Sequence, residues 1–227
     1  MRLTPKEPRE SGREYALRTI KDNLIRLELA PGSLVSENEL AAEMGLSRTP
    51  VREALIELAK VKIIEIAPQK RSMVAYIDYE LVEEARFMRN VLECAVVELA
   101  CQCAGEEALL SLEKNVTLQR FYLENSNYGG IMELDDQFHK TLFQIAQKLQ
   151  VYEMIQHISI HFDRVRSMAL SSVKDIKIVE DHAQLLQALR DQDGARARAL
   201  MEKHLNRYKF DEAAIRETYP QYFAQKK

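Results

Sequence analysis

The stretch Ser36-Glu-Asn-Glu-Leu-Ala-Ala-Glu-Met-Gly-Leu-Ser-Arg-Thr-Pro-Val-Arg-Glu-Ala-Leu55 decides the fold of the N-terminal third. It reads as two short helices joined by a tight turn. Ser36 is suited to an N-cap, and Glu39 three residues later would complete a capping box. Leu40, Ala41 and Met44 then share one helical face. Gly45 supplies a turn position open to positive φ. Ser47 caps a second helix that tolerates Pro50 in its first turn. Val51, Ala54, Leu55 and Leu58 point inward, which leaves Arg48, Thr49 and Arg52 on the outer face near the N-terminus. A helix with one buried side and such an N-terminal end suits a DNA major groove. The plain alternative is a solvated face with ordinary surface arginines.

The flanks weigh against that alternative. Glu14 to Leu27 forms an amphipathic helix with Tyr15, Leu17, Ile20, Leu24 and Leu27 apolar, and Ala30-Pro31-Gly32 turns the chain. After the pair come a short apolar stretch, Ile63 to Ile66, a basic turn, Pro68-Gln69-Lys70-Arg71, and a second strand candidate, Ser72 to Ile77. Three helices followed by a hairpin with a basic tip make a winged helix-turn-helix, expected over residues 13–77 after a flexible arm, residues 1–12.

Leu29-Ala30-Pro31-Gly32, Ser36 to Ala41 and Gly45 to Leu55 together resemble the DNA-binding domain of GntR-family regulators. The resemblance implies that Arg48, Thr49 and Arg52 contact DNA from the recognition helix. It also implies that Asn38 and Ser47 touch the backbone or base edges and that Lys70 sits in the wing. Arg71 departs from the glycine that the family often carries there.

The chain has 227 residues, 46 % hydrophobic and 30 % charged, enough for one large or two modest domains. Its net charge of −3 does not by itself suggest a nucleic-acid binder. Residues 1–77 hold 13 Lys/Arg against 11 Asp/Glu, and residues 78–227 hold 19 against 24, so the basic surplus lies with the helix pair. Cys94, Cys101 and Cys103 are odd in number and lack zinc-finger spacing; they read as small core residues in a reducing compartment. No run of eighteen apolar residues and no signal-peptide core are present, so a cytoplasmic protein with no membrane partner is expected.

Beyond residue 77 the periodicity is helical throughout. Helices are expected from Asp78 to about Cys103, Glu106 to Asn125, Ile131 to Gln147, Val151 to Leu170, Asp175 to Arg190, and Gly194 to about Thr218. The fold class is therefore mainly α: an N-terminal winged helix-turn-helix followed by an all-α antiparallel bundle over residues 78–227.

All five histidines lie in that bundle. Asp135 and His139 are four apart beside the stripe Ile131, Leu134, Phe138, Leu142 and Ile145, so they share a face and could clasp one ion. His182 lies with Ile178, Leu185, Leu186 and Leu189; His204 lies with Leu200, Met201, Leu205 and Tyr208. His182 precedes Asp193 by 11 residues and His204 follows it by 11. Across an antiparallel pair turning there, equal offsets mean equal height, so the two should face each other. A lone histidine on an apolar face is usually a hydrogen-bonded core residue. Three of them with an aspartate favour a divalent ion such as zinc or nickel.

Asp135-Asp136-Gln137-Phe138-His139, Glu180-Asp181-His182 and Met201-Glu202-Lys203-His204-Leu205 resemble the FCD ligand-binding domain of the FadR branch. In its metal-binding members one aspartate and three histidines hold the ion, which implies Asp135, His139, His182 and His204 here. Zinc is the first expectation, nickel or manganese the alternatives. His157 and His161 have no counterpart in the pattern; His161 is expected as an outer contact of the site or at the surface. Arg89 and Glu93, also four apart, read either as a helix salt bridge or as an arginine facing a carboxylate effector, since FCD regulators commonly recognise organic acids. The expected function is a homodimeric regulator that binds a double-stranded operator and responds to a small organic acid. A metal-free regulator sensing an apolar or acyl ligand and a metal-dependent enzyme are the rivals.

Overall fold

The computed structural model describes residues 1–66, 71–125, 128–172, 177–206 and 212–223. In chain order the elements are α1 (Gly12–Ile25), β1 (Leu34–Val35), α2 (Glu37–Met44), α3 (Arg48–Lys60), β2 (Ile64–Glu65), β3 (Ser72–Val74), α4 (Tyr79–Cys103), α5 (Glu106–Glu124) and α6 (Tyr128–Ile145). Then follow α7 (Leu149–Ile158), α8 (Ile160–Ser172), α9 (Lys177–Arg190), α10 (Gly194–Asn206), α11 (Glu212–Thr218) and a 3₁₀ turn, Pro220–Tyr222. The chain divides into two compact units. The first comprises residues 1–82, 160–167 and 214–227, the second residues 83–159 and 168–213.

The first unit is a winged helix-turn-helix. Tyr15, Ala16, Ile20 and Leu24 of α1 bury against Val51, Ala54, Leu55 and Leu58 of α3, with Leu40, Ala41 and Met44 of α2 in the same core. Each large side chain removed from water in this way contributes about 1.5–3 kcal/mol. Gly45 ends α2 in the left-handed region, φ 66°, as its place in the turn requires. The capping box lies elsewhere than expected. Ser36 and Ser47 stand at the N-cap positions of α2 and α3, but neither side chain makes a capping hydrogen bond. The reciprocal pair is Ser11 and Glu14, at 3.1 and 2.7 Å, and it starts α1 two residues before the expected Glu14.

A third strand joins the hairpin. The order is β1-β3-β2, with Leu34 opposite Met73 and Ile64 opposite Val74, both pairs antiparallel. Gly32 makes this possible. Its φ is 82°, and a Cβ there would stand 2.8 Å from the Tyr76 ring. Of the expected basic turn, Pro68, Gln69 and Lys70 lie outside the described residues, and Arg71 is exposed. Residues 1–12, expected as a flexible arm, touch this unit at several points. The Met1 amino group pairs with Glu43 at 2.9 Å, the Arg2 amide donates to Asn23 Oδ1 at 2.7 Å, and Arg18 binds Glu10 and Thr4.

The first eight residues of α8 complete this unit. His161 is buried and meets the Val61 carbonyl, just past α3, at 2.6 Å; Arg164, fully buried, donates to the Ala75 carbonyl at 2.8 Å. His161 was expected beside the metal candidates or at the surface. The structure corrects this: its partner is the turn that follows the recognition helix.

The second unit is helical. Its core gathers Val97, Ala100, Cys101, Leu112, Phe138, Leu142, Phe143, Leu185, Leu189, Met201 and Leu205. The helix expected from Val151 to Leu170 is interrupted at Ser159, whose ψ of −18° tightens the turn toward 3₁₀ geometry, and so forms α7 and α8. The helix expected from Gly194 to Thr218 appears as α10 and α11, with residues 207–211 outside the described ones. Cys94 and Cys101 are buried, and burial raises both thiols to about 11; Cys103, expected in the core, is exposed at the end of α4.

His161 generates a prediction. Burial, with help from Arg164 and Lys62, outweighs the Val61 carbonyl and Asp78 and lowers its pKa from 6.5 to about 4. Below pH 6.5 the unfolded chain takes up a proton that the folded one refuses, so stability present at neutral pH is lost as pH falls toward 4. The loss should reach about 3 kcal/mol. His161→Gln keeps an N–H donor for Val61 but does not titrate. Urea unfolding between pH 7 and 4 should show the shallower loss in that variant; parallel curves would refute the assignment.

Candidate metal centre and nucleic-acid interface

Three helices of the second unit bring the metal candidates together. On α6 the stripe Ile131, Leu134, Phe138 and Leu142 is buried, which turns Asp135 and His139, one helical turn apart, into the same interior. The turn between α9 and α10 forms where its spacing implied. Asp193 accepts the Arg196 amide at 3.0 Å as the cap of α10, and the His182 and His204 rings face each other with centroids 4.7 Å apart. One ligand atom from each of Asp135, His139, His182 and His204 lies within 4.8 Å of the other three, and all four residues are buried.

All three imidazoles turn Nε2 toward the centre. His139 Nε2 lies 3.2 Å from His204 Nε2 and 3.9 Å from Asp135 Oδ2; His182 Nε2 lies 3.5 Å from Asp135 Oδ1. Tetrahedral ligands at metal–nitrogen distances of 2.0–2.1 Å stand about 3.4 Å apart; the 3.2 and 3.5 Å separations are close to that, and the 3.9 Å one is wider. His182 Nε2 is buried and has no hydrogen-bond partner. Burial is the main cause that holds the His182 and His204 pKa values below 6.5, so both are neutral, as ligands must be.

Each outward nitrogen meets a different partner. His139 Nδ1 faces Glu93 Oε2, His182 Nδ1 lies 2.8 Å from Gln119 Oε1, and His204 Nδ1 lies 3.6 Å from Asp181 Oδ2. Metal-bound histidines characteristically engage such partners, which fix ring orientation and tautomer. Arg89 Nε donates to Glu93 Oε1 at 2.7 Å, and both residues are buried. Burial opposes ionisation of Glu93, but Arg89 and His139 outweigh it and hold the carboxyl at about 2. The Arg89–Glu93 pair is thus the helix salt bridge that its spacing implied, extended to His139.

Spacing did not reveal Gln119 or Asp181, nor that Glu93 faces a histidine. A signal for Gln119 was present. Leu112, Asn115, Val116 and Gln119 form the buried stripe of α5, and two amides at core positions require polar partners. His157 is exposed, away from the cluster.

On the first unit Asn38, Ser47, Arg48, Thr49 and Arg52 are all exposed, the first on α2 and the others at or just before the start of α3. Arg48 Nη2 meets Glu37 Oε2 at 3.2 Å, and Arg71 Nη2 meets Glu39 Oε1 at 2.6 Å. Among the described residues no helix is long and apolar enough to cross a membrane.

Comparison with known proteins finds two family regions along the chain. Residues 14–74 match "Bacterial regulatory proteins, gntR family" and residues 84–207 match "FCD domain". The chain belongs to the GntR family, with an FCD C-terminal domain. It is 31% identical to the HTH-type transcriptional repressor RspR of Escherichia coli over 98% of both chains. It is 33% identical to an HTH-type regulator from an unstable DNA locus of Streptomyces ambofaciens, over 90% of this chain and 86% of that one. Among solved structures, E. coli McbR/YncC shares the fold at a TM-score of 0.80 and 22% identity, covering 92% of this chain and 99% of that one. The protein is a DNA-binding transcriptional regulator, not an enzyme.

Proposed function

We propose that this regulator carries a divalent metal, zinc before nickel or manganese, on Asp135, His139, His182 and His204. The observation that carries the reading is the set of three buried Nε2 atoms and one carboxylate converging within 4.8 Å. The bound ion would offer a Lewis-acidic position to a small organic acid, and Arg89 would supply the charge that recognises its carboxylate. The molecule acts as a cytoplasmic homodimer of the FadR branch. Residues 13–77 bind the operator, with Asn38, Ser47, Arg48, Thr49, Arg52 and the wing residue Lys70 at the DNA. Residues 78–227 bind metal and effector and form the dimer. Dimerisation follows from recognition, because one helix in the major groove reads too few base pairs and two half-sites remedy that.

Three outcomes test the scheme. On duplexes selected from a random pool by the wild-type protein, Arg48→Ala and Arg52→Ala should each lose about 1–3 kcal/mol of sequence discrimination at fixed salt. Unchanged discrimination would remove both from the interface. The ligands span seventy residues, so only the folded unit can bind the ion tightly. Zinc at a hundred times its dissociation constant should add about 2.7 kcal/mol. That corresponds to about 5–10 °C in melting temperature. A chelator should reverse this in the wild type and do nothing to His182→Ala. Identical melting with and without chelator, and no metal in the purified protein, would reject the site. Finally, Arg89→Lys keeps a cation beside Glu93 but loses the planar fork. It should retain metal content and weaken the binding of small di- and tricarboxylates in calorimetry; equal affinities would leave Arg89 as Glu93's partner only.

A further inference from the structure

The polarity of a buried hydrogen-bond chain decides which nitrogen of His182 is available. The chain begins at a group that can only accept, the backbone carbonyl of Leu134, one residue before Asp135. Asn115 Nδ2 donates to it at 3.0 Å. The other end of that amide is therefore its oxygen, and Asn115 Oδ1 accepts from Gln119 Nε2 at 2.7 Å. That in turn leaves Gln119 Oε1, an acceptor, against His182 Nδ1 at 2.8 Å. Reversing either amide would set oxygen against oxygen or donor against donor in a dry interior, where each unmade bond is costly. Asn115, Gln119 and His182 are all buried, and Phe138 stacks on the His182 ring with centroids 4.2 Å apart, which holds its plane.

We infer that Asn115 and Gln119 are positioning residues that lock His182 as the Nδ1–H tautomer and so keep its Nε2 lone pair aimed at the cluster. This relay rests on the proposed metal reading for its purpose but not for its geometry. Neither side chain touches the ion's position; they act through the imidazole. The remaining two histidines face carboxylates, which accept whatever the ring offers. Only His182 has a neutral amide partner, whose direction must be set by something else, and the Leu134 carbonyl sets it.

The relay makes its own prediction in metal-free protein. With the histidines labelled with ¹⁵N and a chelator present, the His182 signal, identified by its loss in His182→Ala, should show protonated Nδ1 and unprotonated Nε2. Zinc affinity, read by competition with a chromophoric chelator, should fall about 10–100-fold in Gln119→Leu. Gln119→Glu, which as the buried acid donates its O–H to Asn115 Oδ1 and still offers His182 an acceptor, should hold wild-type affinity. One step further out, Asn115→Leu frees the Gln119 amide to turn over and should weaken zinc, whereas Asn115→Asp, which as the buried acid donates its O–H to the Leu134 carbonyl and keeps an acceptor toward Gln119, should not. If Gln119→Leu does not fold, the Asn115 pair and the wild-type spectrum still decide. A wild-type His182 protonated on Nε2, or folded Gln119→Leu and Asn115→Leu variants with wild-type zinc affinity, would overturn the inference. A wild-type protein that binds no zinc yet shows Nδ1–H at His182 would reject the metal reading and leave the relay standing.

Discussion

Two imidazole nitrogens, His139 Nε2 and His204 Nε2, face each other at 3.2 Å inside a buried helical cluster. A neutral imidazole has one N–H and one lone pair. Both rings turn Nδ1 toward a carboxylate, Glu93 for one and Asp181 for the other, so both N–H groups are drawn outward. Two lone pairs are then left pointing at each other, with the Asp135 carboxylate beside them and the unpartnered His182 Nε2 opposite. In a low-dielectric interior such an arrangement is unfavourable unless a positive charge, a bound ion or an added proton, lies among the donors. The packing of α6, α9 and α10 enforces it: Phe138, Leu142, Leu185, Leu189, Met201 and Leu205 all lie in one core and fix where the three helices present their histidines.

The surroundings of the three rings are not equivalent. His139 faces an ionised carboxylate that Arg89 holds in place. His182 meets only an amide. An ion held here would have one ligand tuned by charge and one tuned by tautomer alone. A change at Arg89 would therefore reach the ion through Glu93 and His139, whereas a change at Asn115 would reach it through His182. The two routes arrive from α4 and α5, on separate ligands.

Much of this was legible in the sequence where the geometry is local. An i to i+4 spacing puts Asp135 and His139 on one face whatever the rest of the fold does. Equal offsets from a tight turn put His182 and His204 at one height, because a short antiparallel connection allows no other register. The helix-turn-helix was legible for the same reason: Gly45, the apolar spacings and the exposed arginines all act within twenty residues. What stayed hidden is non-local or marginal in energy. The contacts of Gln119 with His182 and of His161 with Val61 cross 63 and 100 residues, and no periodicity encodes them. β1 is two residues long and gains its place only by pairing with β3. The box at Ser36 failed although its pattern was right, because a cap is worth only about 1 kcal/mol and local backbone geometry can override it.

Two exposed arginines of the first unit show how weak contacts can be useful. Arg48 and Arg71 each rest on a glutamate of α2, Glu37 and Glu39, at solvent-exposed positions. Exposed pairs of this kind are worth about 0–1 kcal/mol. A guanine contact is worth about 1–3 kcal/mol, so on the proposed interface an operator would draw Arg48 away from Glu37 at little cost. Until then the two pairs direct both guanidinium groups along α2 and limit their freedom, which lessens the entropy lost on binding. Arg71, just before β3, is thus tied to Glu39 of α2. The same exposure makes the anchor sensitive to salt.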